Sequence, residues 1–170
     1  MRRRIWPLLV LMLLPAGCGG NGSGGSEGNS GTSYVGPVEG TEALIGLVSD
    51  GETVAGHVTD GGSIVVWLGP SPVNEGLGEL KARDTGDFEG AVEFYDGGVR
   101  GEVQIDGAPF SFDAVVAEGD AGIYWDDEDQ VDAAWLVSNE GEVKGPGGAA
   151  RQGQKRTDPN APPFQAPAGG

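Results

Sequence analysis

From Tyr34 to Lys144 the apolar residues recur in short period-two runs, and no stretch repeats them at the three-and-four spacing of a helix. Turn signals break the runs: Asp50-Gly51, Asp60-Gly61-Gly62, Asp96-Gly97-Gly98, Asp106-Gly107 and Glu140-Gly141, with Asp84-Thr85-Gly86 between two of them. Asp-Gly between alternating segments marks a hairpin, because both residues tolerate the positive φ of a tight primed turn. The pattern predicts ten strands and no helix, at 34–39, 42–49, 52–59, 63–68, 77–83, 87–95, 99–105, 109–117, 121–126 and 133–139. So regular a spacing describes an all-β antiparallel meander.

Glycine placement narrows the architecture. Gly46, Gly56, Gly78, Gly90 and Gly101 each stand two residues before an aliphatic, and period two puts both on one face. In 87–95 that face is Phe88, Gly90, Val92 and Phe94, and in 99–105 it is Val99, Gly101, Val103 and Ile105. Glycine weakens a strand unless the backbone bends or something packs closely there. A row of inward glycines therefore predicts a small barrel or strongly coiled sheet, with a two-sheet sandwich as the alternative. The strand 63–68 is apolar on both faces, from Ile64 to Leu68, so it should be central or covered.

Composition divides the chain. With 33 glycines and 11 prolines in 170 residues, disorder is the first expectation. Residues 18–33 form a Gly/Ser-rich linker after Cys18, and 145–170 a Gly/Pro-rich tail whose one aromatic is Phe164. Both are expected to be disordered around a folded domain at 34–144. That domain carries 24 acids against Lys81, Arg83, Arg100 and Lys144, while Arg151, Lys155 and Arg156 make the tail net positive. A whole-chain charge of −16 argues against nucleic acid as a partner, because such binding neutralises phosphates with Lys and Arg.

Residues 1–17 have a different pattern. Arg2, Arg3 and Arg4 precede an apolar run from Ile5 to Leu14, and Pro15-Ala16-Gly17-Cys18 follows, an export-signal arrangement. Ten residues span about 15 Å as a helix, roughly half a bilayer core, so the run is too short for a transmembrane anchor. Ala16-Gly17-Cys18 resembles the lipobox of bacterial lipoproteins, with Pro15 where that motif usually has a branched aliphatic. The resemblance implies a diacylglycerol thioether on Cys18, usually with an N-acyl chain, and so a membrane anchor. Two or more acyl chains suffice for stable anchoring.

Candidate chemistry is sparse. Ser26 falls in Gly24-Gly25-Ser26-Glu27-Gly28, but that hydrolase pattern needs a strand before it and a helix after it, not a linker. His57, the chain's one histidine, sits on the strand face opposite Val54 and Val58 and is expected to be exposed. Carboxylate pairs abound in so acidic a domain, yet none stands among aromatics as a glycosidase site would require. The densest acidic run is Asp126, Asp127, Glu128 and Asp129, followed by Asp132. It is a candidate calcium loop, although the EF-hand pattern fails for want of the central glycine and terminal glutamate. Trp125 and Trp135 bracket the loop and are the candidate aromatic patch for a carbohydrate or protein.

Tyr34-Val35-Gly36, the run Gly51-Glu52-Thr53-Val54-Ala55-Gly56-His57-Val58-Thr59-Asp60-Gly61 and Trp67-Leu68-Gly69 belong together with Ala121-Gly122-Ile123-Tyr124 and Ala134-Trp135-Leu136-Val137. In these stretches the domain resembles a group of uncharacterised bacterial lipoproteins of actinobacterial type. It departs from them at Thr59, where relatives often carry a cysteine. The resemblance implies an exported, lipid-anchored β-domain and transfers no catalytic or ligand residue.

The expected function is a non-enzymatic binding or interaction module of the cell envelope, without a cofactor unless calcium binds. It would sit on the outer face of the cell membrane, or on an outer membrane in a two-membrane cell. Its partner would be an envelope protein or glycan. A secreted hydrolase using acidic residues and a passive acidic envelope protein are the alternatives.

Overall fold

The computed structural model describes residues 30–84, 89–126, 133–146 and 153–164. Eight antiparallel strands close into a barrel: β1 (Thr32–Pro37), β2 (Leu44–Ser49), β3 (Thr53–Thr59), β4 (Val65–Asn74), β5 (Leu77–Lys81), β6 (Glu89–Tyr95), β7 (Gly98–Ile105) and β8 (Ala108–Val116). Each pairs with its sequence neighbours, and β8 returns to β1 through Tyr34↔Val116 and Val35↔Val115. The meander is thus a closed barrel rather than a sandwich. A second sheet of four strands, in the order β11–β10–β9–β12, uses β9 (Gly122–Asp126), β10 (Ala133–Val137), β11 (Val143–Lys144) and β12 (Gln154–Arg156).

The Asp-Gly signals act as turns. Gly51, Gly61, Gly97 and Gly107 all hold φ between 78° and 92°, where a Cβ would be strained. The sequence pattern missed one hairpin. β4 continues past Gly69-Pro70-Ser71-Pro72 to Asn74 and turns at Glu75-Gly76, both at positive φ. A register shift between Val54 and Gly56 on β3 lets β4 carry its prolines through this stretch.

The barrel interior is filled with side chains. Val38, Ile45, Leu47, Val54, Val58, Leu68, Leu80, Val92, Val99, Val103, Phe112 and Ala114 make one buried cluster. Gly101 takes its place on this face because the Ala91 carbonyl and the Phe112 ring occupy the space of a Cβ. Gly56, Gly78 and Gly90 lie on it too, as the alternation predicts. Gly46 is different. It faces outward with Val48, and the second sheet covers both. A Cβ on Gly46 would stand 2.6 Å from Leu136 Cδ2 and 2.7 Å from Ile123 Cγ1, so the missing side chain lets β9 and β10 settle onto the barrel.

The segment 153–164 also differs from the disordered tail expected of its composition. β12 pairs with β9 through Gln154↔Trp125, Lys155↔Tyr124 and Arg156↔Ile123. Phe164 is fully buried among Leu44, Val48, Ala55, Trp67, Ile123, Ala134 and Leu136. Burying one Phe side chain is worth about 1.5–3 kcal/mol, enough to order a short segment that also gains strand hydrogen bonds. The covering of strand 63–68 follows from the same packing: Trp67 lies beneath this second core, while Val65 remains exposed.

Candidate functional site

Cys18 lies outside the described residues, as do Asp127, Glu128, Asp129 and Asp132 of the acidic run. Asp126 ends β9 half-buried, and the described residues contain no cluster of three metal-ligating side chains. Trp125 and Trp135 do not form one aromatic patch. The β9–β10 register pairs Trp125 with Ala134 and Trp135 with Tyr124, which sends the two indoles to opposite faces of the second sheet. Trp125 faces the barrel, under the Arg156 guanidinium at 4.4 Å. Trp135 packs with Tyr124 and Val137 on the other face and donates its indole N–H to the Pro146 carbonyl. A register, which single-strand alternation does not supply, was needed to separate them.

His57 is buried rather than exposed. Its face of β3 is the outer face of the barrel, and the second sheet covers it there. Gly46, His57 and Trp67 are cross-strand partners on β2, β3 and β4. Burial drives the His57 pKa from 6.5 down to about 3; a hydrogen bond with the Val66 backbone opposes the shift and the Arg83 charge adds to it. The ring is therefore neutral at physiological pH, and its buried Nδ1 has no hydrogen-bond partner among the described residues. It also borders a small cavity of about 160 Å³, together with Thr59, Val65 and Ala134. A group so placed has no mobile proton near pH 7 to offer a substrate.

The outer face of β5–β8 presents an ordered ladder. The register aligns Leu77, Glu93, Arg100 and Asp113 in one row and Glu79, Ala91, Glu102 and Ser111 in the next. Arg100 donates from Nε and one terminal nitrogen to Glu93 Oε2, and its guanidinium lies 5.9 Å from the Tyr95 ring centroid. Tyr95 Oη donates to Asp113 Oδ1. All of these groups are exposed, so each pair contributes little to stability. What the row provides is a fixed display of charge on a rigid sheet.

One end of the barrel is concave. There the chain enters β1, and the β2–β3, β4–β5 and β6–β7 turns converge. Tyr34, Val73 and Phe94 cap the core at this end and line a cavity of about 340 Å³ with Thr32, Ser49 and Asp50. The Tyr34 and Phe94 rings stand 5.7 Å apart at 71°, forming a corner. Asp50 and Ser49 are committed to the turn: Asp50 Oδ1 accepts from the Glu52 and Thr53 amides, and Ser49 Oγ donates to the Thr53 carbonyl. Sequence alternation placed Tyr34 and Phe94 on strands but could not bring them together, since β1 and β6 are not paired strands.

Comparison of the chain with protein-family models, with curated proteins and with solved structures returned no match.

Proposed function

We propose that this chain is a lipid-anchored extracytoplasmic binding module of the cell envelope, with the barrel as its head and residues 18–31 as the spacer. One observation carries the reading. Cys18, the chain's single cysteine, directly follows Ala16-Gly17 at the end of an arginine-led apolar run of signal-peptide length. Two further features favour binding over catalysis. The lone histidine is buried and neutral, and the barrel interior is packed, which leaves the mouth and the outer faces for contact. The envelope partner, a protein or a glycan, would meet a head whose 24 acids repel polyanions.

The test is fractionation of cells expressing the full chain and its Cys18→Ala variant. The wild type partitions with membranes and detergent, while the variant moves to the soluble fraction. A Cys18→Ala chain that stays with the membrane overturns the anchor.

A further inference from the structure

The barrel-mouth cavity has a chemistry of its own, and its ligand class can be read from three independent features. We propose that it binds a small organic ammonium group, a reading that rests on the binding-module function and names its ligand class.

The first feature is shape. A cavity of about 340 Å³ lies within the roughly 300–1,000 Å³ range of small-ligand sites, at its lower end. It suits a headgroup of a few heavy atoms rather than an oligosaccharide. The second feature is the aromatic corner. Tyr34 and Phe94 are half-buried, nearly perpendicular, and held from below by the filled core. Such rings attract cations through the negative potential of their faces, most strongly where water is partly excluded.

Charge is the third feature. Ser30 and the glycines Gly31, Gly51 and Gly76 complete the lining, and among the described residues no lysine or arginine contributes to it. The turns that converge on this end carry Asp50, Glu52, Glu75 and Asp96. Their combined potential concentrates cations at the mouth and turns anions away. A phosphate-bearing headgroup would bring its own negative charge into that field. The site therefore selects an ammonium without a neighbouring phosphate. The hydroxyls of Thr32 and Tyr34, which bond no other described residue, can contact a polar substituent on it.

Calorimetric titration of the full chain in detergent micelles with three probes tests this. The probes are choline, its uncharged isostere 3,3-dimethylbutan-1-ol, and phosphocholine. Choline is expected to bind at least tenfold more tightly than the isostere, and more tightly than phosphocholine. Equal affinity for choline and the isostere, or no choline binding, overturns the proposal. Tighter binding of phosphocholine overturns the charge argument and points to a lipid headgroup. Phe94→Leu, which removes the ring and keeps an apolar side chain, should weaken choline at least fivefold with the melting transition retained. If Phe94→Leu fails to fold, Glu75→Gln with Asp96→Asn, both at turn tips, should weaken choline about two- to threefold at low salt and leave folding intact. Unchanged choline affinity in that double variant also overturns the proposal. Because soluble probes report on the mouth alone, their failure is distinguishable from loss of the anchor at Cys18.

Discussion

The imidazole of His57 lies against the indole of Trp67, ring centroids 4.3 Å apart and planes tilted by 39°. Trp67 in turn stands nearly perpendicular to Phe164, ring centroids 5.9 Å apart, so a residue of β3 connects through β4 to the C-terminal segment. The chain's one histidine thus sits inside the joint between barrel and second sheet, where adding a proton is costly and the second sheet would have to yield to admit water.

This placement fixes a pH dependence of stability. The unfolded chain protonates His57 near 6.5, whereas the folded protein resists until about 3. Between those values the unfolded state binds more protons, so stability is complete above pH 6.5 and falls as pH drops toward 3. The slope is roughly 1.4 kcal/mol per pH unit for one such group. Asp60, lowered to about 2 chiefly by the Ser63 hydroxyl, adds a loss of the same sign only below its unfolded value of 3.8. Urea unfolding between pH 7 and 5.5, above the unfolded values of Asp60 and of Glu79, whose carboxyl is also lowered by its Lys81 partner, isolates the histidine. His57→Leu should flatten the profile across that interval, and an unchanged slope would show that another group is responsible.

Gly46 and Gly101 make a paired test of the two glycine roles. At Gly46 an added Cβ meets the ends of two flexible side chains, Leu136 and Ile123. At Gly101 it meets the Ala91 carbonyl, part of a sheet that cannot step aside. Overpacking costs typically about 1–3 kcal/mol, partly offset by the reduced freedom of the unfolded chain. Gly46→Ala should therefore lose about 1–2 kcal/mol in urea unfolding, and Gly101→Ala more. The reverse order would contradict the assignment of Gly101 to the crowded interior and Gly46 to the joint.

Much of the barrel was legible because its cues are local. Period-two alternation and Asp-Gly turns depend on neighbours in sequence, and each of the ten expected strands has a counterpart among β1 to β10. Long-range partners were not legible. Nothing near His57 announces that its face will be covered, since the cover comes from Ile123, Leu136 and Phe164, at least 66 residues away. The same holds for Trp125 and Trp135, whose faces depend on cross-strand register, and for Tyr34 with Phe94 at the barrel mouth. In the tail the signal was present but small: one aromatic in a Gly/Pro-rich stretch, with Lys155 and Arg156 carrying charge opposite to the domain.

The C-terminal segment yields the most direct structural test. Phe164 plugs the second core, Arg83 donates from Nη1 to the Pro163 carbonyl, and Arg156 covers the Trp125 ring. Lys155 Nζ reaches the Gly119 carbonyl at 3.0 Å, and the Gly31 amide donates to the Thr157 carbonyl. These contacts come from five separate places in the fold, so the segment should stay docked until its apolar plug is removed. Phe164→Ala in the full chain should cost about 3–5 kcal/mol, the usual range for emptying a buried phenylalanine site. Trypsin provides a second readout, because Lys155 and Arg156 are held in β12 while it is paired with β9. Cleavage there should be slow in the wild type and accelerate at least tenfold in Phe164→Ala. Equal cleavage rates would mean that Phe164 does not hold β12 in place. Arg83→Met, which keeps an unbranched apolar side chain but loses the guanidinium over the Trp67 ring and the bond to Pro163, should fall between the two.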